Sequence, residues 1–286
     1  MFSTLISVAQ VMDLQSKRHS LAIFDCSFDL MNPALGAQHH QEVHIAGARH
    51  ADLDRDLSDK SGAPDRASGG RHPLPAREKF AAWLRSQGLA KGQQVIAYDR
   101  NGALYAGRLW WMLKWCGHEA VAMLDGGLQA WQQADGVVRG GAEPAPAPGD
   151  FALGMPLAAL RDAASVAQGL GQATQTLIDA RAAPRFRGEV EPLDPVAGHI
   201  PGALNRPFQG NLDADGKFKS PQALRQEFEA LLAGRDPASV VHQCGSGVSA
   251  IPNLIGMELA GLGRAALYAG SWSDWCSDPR RPVERG

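Results

Sequence analysis

Along this chain, short apolar runs alternate with longer stretches in which apolar positions recur at helical spacing. Runs bounded by polar or turn residues read as buried strands, and the stretches between them as helices. The pattern predicts strands near 20–25, 93–98 and 120–124, with helices over 76–87, 103–116 and 127–134. It repeats later, with strands near 175–179, 239–243 and 265–268 and helices near 156–169, 221–232 and 249–261. Ser220 before Pro221 is a good helix start, the serine as N-cap and the proline in the first turn. Strands that alternate with helices predict an α/β fold with mostly parallel sheets flanked by helices.

The two halves share more than rhythm. Leu21-Ala22-Ile23-Phe24-Asp25 returns as Thr176-Leu177-Ile178-Asp179, and His44-Ile45-Ala46-Gly47-Ala48 as His199-Ile200-Pro201-Gly202-Ala203. Asp125-Gly126-Gly127 with Trp131 returns as Ala269-Gly270-Ser271 with Trp275. Such self-similarity indicates a duplicated domain. Between the copies, Glu143-Pro144-Ala145-Pro146-Ala147-Pro148 favours an extended, semi-rigid linker. The expected organisation is a domain over 1–138, a linker over 139–153 and a second domain over 154–286.

Composition narrows the setting. A net charge of −2 supplies no global basic field, so neither nucleic acid nor an acidic membrane surface is an expected partner. No run of about 18 apolar residues reads as a membrane span, and the first ten residues lack the features of a secretory signal. Four cysteines, Cys26, Cys116, Cys244 and Cys276, form no CxxC pair and are too sparse for a disulfide scaffold. A cytoplasmic location with free thiols is expected.

One segment carries nucleophilic chemistry. In Val240-Val241-His242-Gln243-Cys244-Gly245-Ser246-Gly247-Val248-Ser249 a β-branched run ends at a thiol, and a helical pattern follows. Open α/β sheets place ligands at this carboxyl edge. Glycines let the backbone turn its N–H groups inward, and a helix N-terminus adds partial positive charge. Both effects favour a thiolate, or any other sulfur anion, at Cys244. A buried structural cysteine beside a tight turn has the same spacing. In the first half the equivalent position is Asp99, which cannot accept sulfur.

Taken together, the paired His-Ile-x-Gly-Ala motifs, Leu124-Asp125-Gly126-Gly127 and the loop Cys244–Ser249 resemble the rhodanese superfamily in its tandem-domain form. The loop Cys-Gly-Ser-Gly-Val-Ser is similar to that of the 3-mercaptopyruvate sulfurtransferases. Thiosulfate-specific relatives carry basic residues after the cysteine, where Gly245 and Ser246 are neutral. The resemblance implies a sulfurtransferase with a non-catalytic first domain and no metal or organic cofactor. Cys244 takes sulfur from 3-mercaptopyruvate or thiosulfate as a persulfide and passes it to a thiol, thioredoxin or cyanide.

The same resemblance implies that Arg185 binds the donor's acidic group, with Arg181 and Arg187 as further candidates, and that Gly245, Gly247, Val248 and Ser249 form the loop. It implies a relay through Ser246 in which His44 is a possible member, although His199 repeats that histidine in the second half. Mercaptopyruvate enzymes carry a second arginine in a Glu-Pro-Arg segment, where this chain reads Glu191-Pro192-Leu193-Asp194. Rival readings are a thiosulfate-specific enzyme and a sulfur-carrier or interaction module without turnover. A phosphatase is disfavoured because position 250, six residues after the cysteine, is Ala rather than Arg.

Overall fold

The computed structural model describes residues 1–286. The chain forms two compact units. The first holds Met1–Asp65, Pro75–Leu157 and Asp215–Lys217; the second holds Arg66–Leu74, Ala158–Ala214 and Phe218–Gly286. A short arm from the first half of the sequence thus belongs to the second unit.

Each unit is built on a five-stranded, all-parallel sheet. In the first unit the strand order is Leu5–Ile6, Val121–Leu124, Gln94–Tyr98, Leu21–Asp25 and Arg49–His50. In the second it is Leu204–Asn205, Thr176–Asp179, Val240–Gln243, Ala266–Tyr268 and Leu160–Arg161. Central strands buried on both faces explain the continuous apolar runs. The predicted α/β fold with mostly parallel sheets is therefore correct for both copies.

Helices cover the sheets, and their boundaries follow local chemistry. Pro221–Leu232 begins as expected, with Ser220 Oγ accepting the Ala223 N–H. The helix expected over 156–169 is shorter. Leu160–Arg161 instead joins the sheet edge, and Asp162 caps a helix over Ala163–Gln168 in a reciprocal pair with Ser165. Apolar spacing alone could not reveal that edge strand, because two residues carry no period. The helix expected from 103 starts at Ala106, and the loop before it turns the N–H groups of Asn101, Ala103 and Tyr105 onto the Asp99 carboxylate.

The first core packs Ile23, Ile96, Tyr98, Leu124 and Trp131 among others, and the second packs Leu177, Val241, Tyr268, Trp272 and Trp275. No helix is long and apolar enough to cross a membrane.

Candidate active site

The strand Val240–Gln243 is central in its sheet, so its carboxyl end opens between neighbours on both sides. Cys244 follows at once and is 1% exposed. Its backbone is fixed from two directions: its N–H donates to Ser271 Oγ at 3.1 Å, and its carbonyl accepts the Trp272 N–H at 3.0 Å. The loop then turns through Gly247 at φ +74°, where a Cβ would meet Ala269 O at 2.2 Å. Glycine is obligatory there on both conformational and spatial grounds. The helix Ile251–Leu259 follows the loop.

The other three cysteines are poor nucleophiles. Burial pushes the thiols of Cys26 and Cys276 up and that of Cys116 up to about 11, so each disfavours the thiolate. All four cysteines are free.

The arginines expected to bind the donor separate clearly. Arg185 places Nη1 and Nη2 at 3.6 and 3.7 Å from where a side chain on Gly245 would begin, and pairs with Glu191 at 2.6 Å. Arg181 is buried: it grips Asp179 at 2.7 Å, reaches Gly198 O and lies over the Trp272 ring at 4.8 Å. Arg187 is exposed and pairs with Glu189. Arg206 is held by Glu227 and Asn211. Of these, the geometry brings Arg185 to the cysteine loop.

Two residues at the loop went unnoticed in the sequence, and both sit on the arm Arg66–Leu74. His72 Nδ1 lies 2.8 Å from Ser246 Oγ, and Arg71 Nη2 lies 3.2 Å from the Cβ position of Gly245. Their signal was there: residues 51–76 carry neither helix nor strand, and Gly69-Gly70-Arg71-His72-Pro73 punctuates that stretch. Long irregular segments inside compact domains are commonly functional.

His44 sits differently. It is fully buried in the first unit, with Nδ1 at 2.7 Å from His40 O and Nε2 at 3.2 Å from Glu143 Oε1, and Gly47 N–H donates to the same carboxylate oxygen. Its copy repeats the arrangement: His199 Nδ1 meets Phe186 O, Nε2 lies 3.6 Å from Glu284, and Gly202 N–H donates to Glu284. In both units the His-Ile-x-Gly-Ala motif fastens a returning segment of its own chain. The histidine that meets Ser246 is His72.

His242, one residue from Gln243, is also fully buried. Burial, reinforced by Arg206, lowers its pKa to about 3, so it is a neutral packing residue against Met257 Sδ at 3.1 Å.

A profile for the Rhodanese-like domain matches residues 7–134 and again 162–278. A Pseudomonas aeruginosa protein named for 3-mercaptopyruvate sulfurtransferase activity is 48% identical over 289 residues, covering 100% of both chains. A Mycobacterium tuberculosis relative, named for thiosulfate sulfurtransferase activity, is 39% identical across 99% of this chain and 97% of its own. Among solved structures, the 3-mercaptopyruvate sulfurtransferase from Leishmania major superposes with a TM-score of 0.82 at 31% identity. That match covers 98% of this chain and 75% of the other.

Proposed function

The chain belongs to the family built from rhodanese-like domains and is a sulfurtransferase, and we propose that Cys244 carries the sulfur and that 3-mercaptopyruvate is the preferred donor. The observation that carries the site assignment is the convergence, on the loop that follows one buried thiol, of Arg185 and the Ser246–His72 pair. The catalytic domain is 154–286 completed by the 66–74 arm; 1–138 is the non-catalytic copy and 139–153 the linker.

In this reading the donor's carboxylate lies on the Arg185 guanidinium, whose planar fork matches two oxygens. Cys244 thiolate attacks the donor sulfur. An S–S bond forms, the C–S bond breaks, and its electron pair passes into the enolate of pyruvate. Ser246 gives that enolate a proton and is resupplied by His72 through their 2.8 Å contact, leaving pyruvate and a Cys244 persulfide. An acceptor then attacks the outer sulfur: a thiolate leaves as its persulfide, cyanide as thiocyanate, and Cys244 returns as thiolate. Splitting the transfer through a covalent intermediate is nucleophilic catalysis. Small thiols and thioredoxin are the acceptors we assign, and four free thiols suit a reducing cytoplasm.

The test pairs intact-protein mass spectrometry with steady-state rates on both donors. One added sulfur at Cys244 and a higher kcat/KM for 3-mercaptopyruvate are expected. An unmodified Cys244 during full turnover would sink the assignment, and a preference for thiosulfate would reverse the donor.

A further inference from the structure

The short helix Ser271–Trp275 meets the cysteine loop with its first residues, one after another. Ser271 Oγ accepts the Cys244 N–H at 3.1 Å, the Trp272 N–H donates to Cys244 O at 3.0 Å, and the Ser273 N–H donates to Gly245 O at 2.9 Å. The first copy grips its own loop in the same way, with one difference. There the Leu128 N–H donates to Asp99 O at 3.1 Å, but Arg100 O, the counterpart of Gly245 O, is reached by the Gln129 side chain, whose Nε2 donates at 3.0 Å. In the second copy the backbone of Ser273 makes that contact, which releases its side chain.

That side chain turns to the arm. Ser273 Oγ accepts the Arg71 N–H at 3.0 Å and donates to Gly270 O at 3.3 Å. The arm comes this close because it carries no Cβ where it lands. One on Gly70, at φ +85°, would lie 2.4 Å from Gly270 O and 2.8 Å from Ser273 Oγ, and one on Gly69 would lie 2.5 Å from Asp274 Oδ1. Ala67 N–H to Leu74 O and Leu74 N–H to Ser68 Oγ close the arm on itself, so a shift at Arg71 is carried to its neighbour His72. His72 Nδ1 in turn lies 2.8 Å from Ser246 Oγ. Ser273 thus ties the loop that bears Ser246 to the arm that bears His72.

We propose that Ser273 is a positioning residue for proton delivery: through Gly245 O and the Arg71 N–H it holds Ser246 and His72 within hydrogen-bond reach of each other. Sulfur donors differ in their need for that delivery. The C–S bond of 3-mercaptopyruvate breaks to an enolate, which takes a proton from Ser246; the donor's own S–H proton is released as the persulfide ionises, so the proton count is unchanged. Reagents whose leaving group is already a stable anion need no proton. Thiosulfate expels sulfite and methyl methanethiosulfonate expels methanesulfinate, each keeping the electron pair of the broken S–S bond. A displaced His72 therefore slows the first reaction and spares the others, because proton transfer in the transition state depends on hydrogen-bond reach and alignment.

The inference rests on the sulfurtransferase reading, and the experiment separates the two. In the full chain, Ser273→Ala and Ser273→Thr are compared with the parent protein. The readouts are the single-turnover rate of persulfide formation at Cys244 with saturating 3-mercaptopyruvate and the rate of Cys244 modification by methyl methanethiosulfonate, both followed by quenched mass spectrometry. For Ser273→Ala the first rate is expected to fall about 3- to 10-fold, the loss of one neutral hydrogen bond. The second should stay within about twofold. Ser273→Thr keeps the hydroxyl and should recover most of the lost rate. An unchanged rate with 3-mercaptopyruvate in Ser273→Ala overturns the proposal while leaving the enzyme assignment intact. An equal fall with both reagents also overturns it, because Ser273 would then support the thiol or the loop and not the proton path. A parent protein that never loads sulfur on Cys244 defeats the underlying reading instead.

Discussion

The loops after Gln94–Tyr98 and after Val240–Gln243 occupy the same place in two copies of one fold, and they solve the same electrostatic problem differently. In the first unit Asp99 fills the anion position. Its Oδ1 accepts the N–H groups of Asn101 and Ala103 at 2.9 and 3.0 Å, and its Oδ2 those of Tyr105 and Ala106 at 2.8 and 2.9 Å. Burial still pushes its carboxyl up, against those four donors. The second unit has a thiol at this position, a serine paired with histidine, and two guanidinium groups beside the loop. In the first copy the loop turns four N–H groups onto that position. An aspartate side chain fills the position in the first copy, and in the second it is left to a thiol.

The largest effect should come from removing the thiol. Cys244→Ser is expected to reduce sulfur transfer to cyanide to the uncatalysed background with an unchanged melting temperature. Adding Asp99→Cys to that variant should not restore transfer, because the first loop lacks the serine and arginines of the second. Restored turnover would show that the scaffold alone suffices.

Next comes acid stability, which separates the strands beneath the loops: His242 stands where the first unit has Ala97. The folded pKa of His242, about 3, lies below its ordinary 6.5, so the unfolded chain binds the proton more readily. Stability is therefore present above about pH 6.5 and falls as pH drops towards 3, by on the order of a few kcal/mol at full effect. His242→Leu should flatten that fall in urea titrations run at stepped pH. An unaltered pH slope would contradict the buried neutral histidine.

A smaller effect is expected in the first loop. Asp99→Asn turns an amide towards two of the four N–H donors and should cost about 1–3 kcal/mol, with Cys244 still loading sulfur normally. Loss of loading would mean that the first loop does more than hold its own fold together.

The smallest effect distinguishes Ser271 from its counterpart Gly127. Both take positive φ, +55° and +59°, but only Ser271 has a side chain that accepts the Cys244 N–H. Ser271→Ala loses that bond and keeps the backbone strain, while Ser271→Gly loses the bond and relieves the strain. Thermal melts should therefore rank Gly above Ala by about 0.5–1 kcal/mol.

How much of this was legible in the chain varies with the physics of each part. Buried parallel strands impose continuous apolar runs, so Thr176–Asp179 and Val240–Gln243 could be read directly, as could the cysteine at the end of the latter. Two-residue edge strands such as Leu160–Arg161 have no period to read. The repeated His-Ile-x-Gly-Ala motif was visible, but its purpose was not: only the fold shows each histidine and glycine grasping Glu143 or Glu284.

By itself, the sequence determined the duplication, the parallel α/β class and the one cysteine set at the end of a strand, because each is written in local order: apolar runs, repeated motifs and a cysteine between a strand and glycines. Tertiary structure decided the company that cysteine keeps. Arg71 and His72 lie far from Cys244 along the chain, and no local preference of the arm encodes which loop it will meet. That choice is made by packing, where Gly70 lies against Gly270 and Arg71 against Ser273 and Asp194.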